Sequence, residues 1–212
     1  FIPGLRQHDF RIFENGVEQK IEYFASVEQP FTVVMLLDVS GSVRDDIGDI
    51  RRAALNFLDR LKPEDRVIGI AFDIRLVILN TRADDRETLR KGIRQLEAGS
   101  GTYLYGSVQA ISRRLLQRVS GRKALVLFSD GIDGWRQINS GKPVADYETS
   151  LLAAESSGAL IYCIQFNAVD DETIARDETR GKNRYAENKI ANSYLKELAE
   201  RSGGALYRMK RM

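Results

Sequence analysis

Five oxygen-bearing side chains stand where an α/β chain gathers ligands. Asp38, Ser40 and Ser42 follow the apolar run Phe31 to Leu37, Thr102 follows the loop Ala98-Gly99-Ser100-Gly101, and Asp130 follows the run Ala124 to Phe128. Hard cations such as Mg²⁺, Mn²⁺ and Ca²⁺ prefer carboxylate, hydroxyl and water ligands, so the residue types suit a divalent metal and not soft-metal chemistry. The alternation Asp-x-Ser-x-Ser turns three side chains toward one point if the chain curves after the strand. Gly41 is the residue expected to let it curve tightly.

Taken singly, each residue also has an ordinary structural explanation. Ser42 can cap the following helix, with Asp45 three positions on completing a capping box. Thr102 can cap the helix that starts at Tyr103, and Asp130 before Gly131 can be a turn residue. Spacing alone leaves both explanations open.

What the sequence lacks narrows the chemistry further. Cys163 is the only cysteine and His8 the only histidine. An intramolecular disulfide is impossible, and a zinc site or a Ser-His or Cys-His nucleophile pair has almost nothing to draw on. Cys163 lies within Ala159 to Phe166, where a small buried hydrophobe is expected. The 32 basic and 30 acidic residues leave a net charge of +2, too weak a field to imply nucleic acid or an anionic membrane as the main partner. The apolar runs are strand-sized, short of the roughly 18 residues that span a bilayer, which implies a soluble chain. Phe1-Ile2-Pro3-Gly4 has none of the parts of a signal peptide, so the sequence is read as a fragment or a processed chain.

The elements that must position these residues follow from hydrophobic period. Asn15-Gly16 predicts a tight hairpin within Phe10 to Phe24, with Val17, Ile21 and Tyr23 alternating as a half-buried strand. Residues 1–30 are expected to form this hairpin and a linker, the remainder of an upstream β module; 31–212 form the main domain. There, strands alternate with helices of 3.6-residue period, which predicts a mostly parallel sheet covered on both faces. Val43, Ile47, Ile50, Ala54, Phe57 or Leu58, and Leu61 mark the first helix. Arg66 to Phe72 and Arg75 to Asn80 are separated by only Asp73-Ile74, so that pair must be antiparallel. Leu89, Ile93 and Leu96, then Leu104, Val108, Ile111 and Leu115, mark two more helices. A polar loop runs to about Val144, ahead of a helix near Ala145 to Ser156 and a strand from Ala159 to Phe166. Residues 168–189, dense in both charge signs, predict an exposed insertion. Ile190, Tyr194, Leu195 and Leu198 mark a last helix, and Ala205 to Arg208 a last strand.

Taken together, three segments resemble the metal-ion-dependent adhesion site (MIDAS) of the von Willebrand factor type A (VWA) family. They are Asp38-Val39-Ser40-Gly41-Ser42, Ser100-Gly101-Thr102-Tyr103-Leu104-Tyr105 and Leu127-Phe128-Ser129-Asp130-Gly131. The resemblance spans Phe31 to Met212. It implies a Rossmann-like open sheet with one antiparallel strand, helices on both faces and a metal at its top, Mg²⁺ first and Mn²⁺ or Ca²⁺ next. It further implies that Ser40, Ser42 and Thr102 are direct or near-direct ligands and that Asp38 and Asp130 bind directly or through water. The stretch Asp9-Phe10-Arg11-Ile12-Phe13-Glu14-Asn15-Gly16 resembles the lead-in of a bacterial, notably acidobacterial, subgroup, which implies an extracytoplasmic location.

The expected function is a non-catalytic adhesion or protein-binding module whose metal takes an Asp or Glu of a protein or peptide partner. Tyr103 and Trp135, beside the ligand loops, are candidate rim residues. One rival is a Mg²⁺-dependent phosphoryl-transfer enzyme with Asp38 as nucleophile; Ser40 stands where such enzymes carry a second carboxylate. Another is a structural module whose site goes unused.

Overall fold

Asn15 and Gly16 both take positive φ, 52° and 82°, the pair of left-handed residues that a two-residue turn of matching twist demands. They join β1 (Ile12–Glu14) to β2 (Val17–Gln19) in an antiparallel hairpin. The hairpin is shorter than its alternation suggested. The strand stops at Gln19, Ile21 lies beyond it, and Val17 is 63% exposed. A lone two-stranded ribbon offers no second layer to bury a face against. The computed structural model describes residues 5–22, 24, 30–134, 145–166 and 182–209; Tyr23 and Trp135 lie outside them. The chain divides into two compact units, Phe1–Pro30 and Phe31–Met212.

In the second unit the elements run β3 (Thr32–Asp38), α1 (Ile47–Arg60), β4 (Arg66–Phe72), β5 (Leu76–Ile78), α2 (Arg86–Arg94), α3 (Leu104–Arg114), β6 (Lys123–Ser129), α4 (Tyr147–Glu155), β7 (Leu160–Gln165), α5 (Lys182–Arg201) and β8 (Ala205–Arg208). The sheet order is β5-β4-β3-β6-β7-β8, parallel throughout except for β5, which pairs antiparallel with β4.

Successive side chains of a strand point to opposite faces, and both faces are covered, so β3 carries no polar residue between Thr32 and Asp38. On one side Met35 and Leu37 pack with Val67, Ala71, Ile50, Leu58, Leu89 and Ile93 under α1 and α2. On the other, Val34 and Leu36 pack with Ile70, Phe72, Val108, Leu151, Tyr194 and Leu198 under α3, α4 and α5. Neighbours β4 and β6 continue from β3 in opposite directions across the sheet. The carboxyl ends of β3 and β6 therefore flank the point where strand order reverses, the place where open α/β sheets present ligands.

Two expectations shift at the last helix. It starts at Lys182, so the end of the charged segment is helical and not loop. Ile190, expected on the buried stripe, is 52% exposed, and Ala191, Tyr194, Leu195 and Leu198 carry the packing. The rest of the charged segment, 168–181, and the loop 135–144 lie outside the described residues. No described helix is long and apolar enough to cross a membrane.

Candidate metal centre

β3 delivers Asp38, wholly buried, to the carboxyl edge of the sheet. Its Oδ1 accepts from the Ser40 backbone N–H at 2.9 Å, and its Oδ2 accepts from Ser129 Oγ, at the end of β6, at 2.6 Å. Ser40 and Ser42 place their hydroxyl oxygens 3.0 Å apart. The Ser42 hydroxyl also favours the ionised form of the Asp130 carboxylate, whose Oδ1 accepts from the Ile132 N–H at 3.0 Å. Asp38, Ser40 and Ser42 thus stand in one hydrogen-bonded chain, with Asp130 close enough to raise the Asp38 carboxyl by its charge. The capping alternative for Ser42 does not hold: the 3-10 stretch Gly41–Asp46 and α1 behind it both lack a side-chain cap, and the Ser42 hydroxyl faces the site instead.

Thr102 arrives on a separate loop that backbone contacts clamp to both others. Gly99 donates to the Val39 carbonyl at 2.5 Å, Tyr103 to the Asp73 carbonyl at 2.9 Å, and Gly134 to the Thr102 carbonyl at 3.2 Å. Thr102 itself is buried. It does not cap α3, whose first turn is capped by Asp133: its Oδ2 accepts from the Tyr105 N–H at 2.8 Å. The bend after Asp38 needs no left-handed glycine, because Gly41 is not among the positive-φ residues. Its missing side chain serves a close approach instead, since a Cβ there would lie 2.7 Å from the Ser100 carbonyl oxygen.

The electrostatics of the pair are unfavourable as the protein side chains stand. Burial, then the charge of Asp130, pushes the Asp38 carboxyl up to about 7, against hydrogen bonds from Ser129 and Ser40 that favour its ionised form. Burial likewise raises Asp130, opposed by Ile132 and Ser42, and Asp46 adds like charge. Among the described residues neither carboxylate has an ion pair with Lys or Arg. Buried carboxylates of this kind call for a proton or a cation. The described residues hold no group of three or more His, Cys, Asp and Glu suited to a metal. The donor set is two carboxylates beside neutral hydroxyls, which fits a hard, octahedral cation and no soft one.

Several contributors escape sequence reasoning. Ser129 was visible only as a neighbour of Asp130, and its bond to Asp38 depends on β3–β6 register. Asp73, met in the sequence only as half of the short link Asp73-Ile74, accepts from Arg75 N–H at 2.8 Å and packs its carboxylate against Gly99. Behind Asp130, Gln165 Nε2 donates to Asn192 Oδ1 on α5 at 2.6 Å. Gly131, at φ 86°, lies against Leu195 and Ala191, where a Cβ would come within 3.0 Å of both. Of the rim candidates, Tyr103 is half-buried with its ring over Gly106.

The comparisons with known proteins bear on this arrangement. Residues 33–132, which carry all three loops, match the family model described as von Willebrand factor type A domain. Those residues carry a von Willebrand factor type A domain. An uncharacterized protein of Synechocystis, sll0103, is 31% identical over 133 residues, 58% of this chain; the match spans 31% of that protein's length. Among solved structures, an aerotolerance-related membrane protein from Bacteroides fragilis superposes with a TM-score of 0.59 at 15% identity, covering 86% of this chain and 92% of that one. The vWF domain of the type V pili tip protein Mfa5 from Porphyromonas gingivalis gives 0.58 at 15% identity, covering 85% and 89%. At such identities the structural likeness speaks for the fold of the type A domain alone.

Proposed function

We propose that the type A domain is a non-catalytic, metal-dependent protein-binding module. The observation that carries this reading is the convergence of the hydrogen-bonded Asp38, Ser40 and Ser42 with Asp130 beside the clamped Thr102 loop, with two buried carboxylates that no basic side chain among the described residues neutralises. In this reading Ser40, Ser42 and Thr102 are direct or near-direct ligands, and Asp38 and Asp130 bind directly or through water. A divalent cation held there, Mg²⁺ before Mn²⁺ or Ca²⁺, would keep a coordination position for a carboxylate oxygen of a partner's Asp or Glu. Ser129 fixes one oxygen of Asp38, Ser40 N–H the other, and the Gly99 and Gly134 bonds hold Thr102 in register with them.

The phosphoryl-transfer alternative gains nothing from the geometry. An attacking carboxylate must reach its substrate, whereas Asp38 is fully buried with both oxygens engaged. An extracytoplasmic location belongs to the same proposal. It is supported by the likeness in fold to a membrane protein and a pilus-tip protein.

Titration calorimetry of the chelator-stripped chain with Mg²⁺ and Mn²⁺ tests the reading. Binding at one site is expected, lost in Asp38→Ala and Thr102→Ala. A chain that binds neither ion overturns it.

A further inference from the structure

An exposed groove lies next to the candidate ligand loop, between α3 and the β5 edge of the sheet. Leu76 is paired with Phe72, and Phe72 packs into the core on the α3 side, so Leu76 faces α3. α3 does not cover it. A groove of about 380 Å³ remains, floored by Ile74 and Leu76, which are 36% and 40% exposed, and closed at one end by Tyr103. Gly106 admits the Tyr103 ring, and Tyr103 directly follows Thr102, so the groove begins next to the candidate ligand loop.

The charge of the lining is one-sided. Arg75, Arg113 and Arg114 border the groove, and among the described residues no acidic one does. Arg75 is 78% exposed, with only a long 3.9 Å approach to Asp73. Arg113 and Arg114 are exposed at the end of α3, and among the described residues neither has an ion pair or hydrogen bond. Basic residues in a last helical turn also complement the helix dipole. That explains neither Arg75, which comes from the bend between β4 and β5, nor the exposed apolar residues Ile74 and Leu76.

We propose that this groove binds an acidic peptide segment of a partner, with carboxylates on the three guanidinium groups and an apolar side chain on Ile74 and Leu76. Arginine forks pair carboxylates in a fixed, bidentate geometry, and a leucine-sized anchor in the floor gives the contact a register. A nucleic acid would also meet the charge, but it leaves the apolar floor unused, and the near-neutral chain offers no wider basic field to track a phosphate backbone. The groove does not need the metal, so the two surfaces can fail separately.

The test is fluorescence anisotropy of the full chain in chelator, with a labelled eight-residue peptide of alternating Glu and Leu as probe. Controls are the Lys/Leu counterpart and an eight-nucleotide single strand. Binding of the Glu/Leu peptide alone is expected, weakened at least tenfold in Arg113→Glu/Arg114→Glu and in Arg75→Glu, and unchanged in Asp38→Ala. Circular dichroism checks that each variant is folded; Arg75, Arg113 and Arg114 are exposed, so charge reversal there disturbs no packing. The proposal is overturned if the Glu/Leu peptide does not bind, if the Lys/Leu peptide or the oligonucleotide binds as well, or if the charge reversals leave affinity unchanged. Loss of divalent binding in calorimetry would sink the metal reading and leave this result standing.

Discussion

Ser129 Oγ donates to Asp38 Oδ2 at 2.6 Å, joining the last residue of β6 to the last residue of β3, and the same oxygen accepts from the Gly131 N–H at 3.0 Å. One hydroxyl therefore orients the carboxylate of one loop and the backbone of the other. Ser129→Ala removes both bonds inside the core and leaves a buried N–H and a buried carboxylate oxygen without them. A charge-assisted hydrogen bond of this kind is worth about 2 kcal/mol. Urea unfolding should show a loss of that order, and calorimetry a weaker Mg²⁺ affinity. Wild-type values in both would show that Ser129 is not what holds Asp38.

Cys163 sits on β7 with no exposed surface, and burial pushes its thiol well above the ordinary range. A thiol that cannot ionise does not attack. Folded protein should give no reaction with Ellman's reagent over minutes, and guanidinium should release one thiol per chain. Prompt reaction of the native chain would contradict the packing of β7.

The sequence carried the site's residue types but not the contacts that position them. Hydrophobic period marks β3 and β6 because both strands are covered on both faces, and the two-residue link Asp73-Ile74 forces β5 antiparallel. The length of a turn does not say that the Asp73 carbonyl will receive the Tyr103 N–H, or that Asp133 will cap α3 and release Thr102 from that task. Those contacts join residues about 30 apart, and only the sheet register brings them together. Ile190 misled for a related reason: its spacing fits the stripe of α5, yet the helix is rotated so that Ala191 faces Gly131.

Gly41 and Ser100 meet closely where the first two loops touch, with room for no side chain between them. Gly41→Ala must push the loops apart against the Gly99 to Val39 hydrogen bond. Overpacking of this sort costs about 1 to 3 kcal/mol. The expected signature is a Mg²⁺ affinity at least tenfold weaker, since Thr102 rides on the displaced loop. Gly48→Ala, early in α1 where an added Cβ meets nothing, is the control and should be neutral or slightly stabilising. If both variants bind Mg²⁺ like wild type, the loop contact does not set the site.

Asp38 gives the protein a pH dependence whose sign is fixed by its burial beside Asp130. Its carboxyl is raised in the fold from an ordinary 3.8 to about 7, so the folded chain holds that proton more tightly than the unfolded chain does. The associated stability is fully present below about pH 4 and is lost as pH rises through 7. Asp38→Asn keeps a neutral group of the same shape and removes the titration. In chelator, the melting temperature of wild type relative to Asp38→Asn should therefore fall between pH 4 and pH 8. On the proposed reading Mg²⁺ would bind the ionised pair, so its stabilisation of wild type should grow over the same range, with protons released on binding. Melting curves of both proteins at four pH values, with and without Mg²⁺, decide the matter. A difference that stays flat with pH would mean that the two carboxylates do not share a buried site.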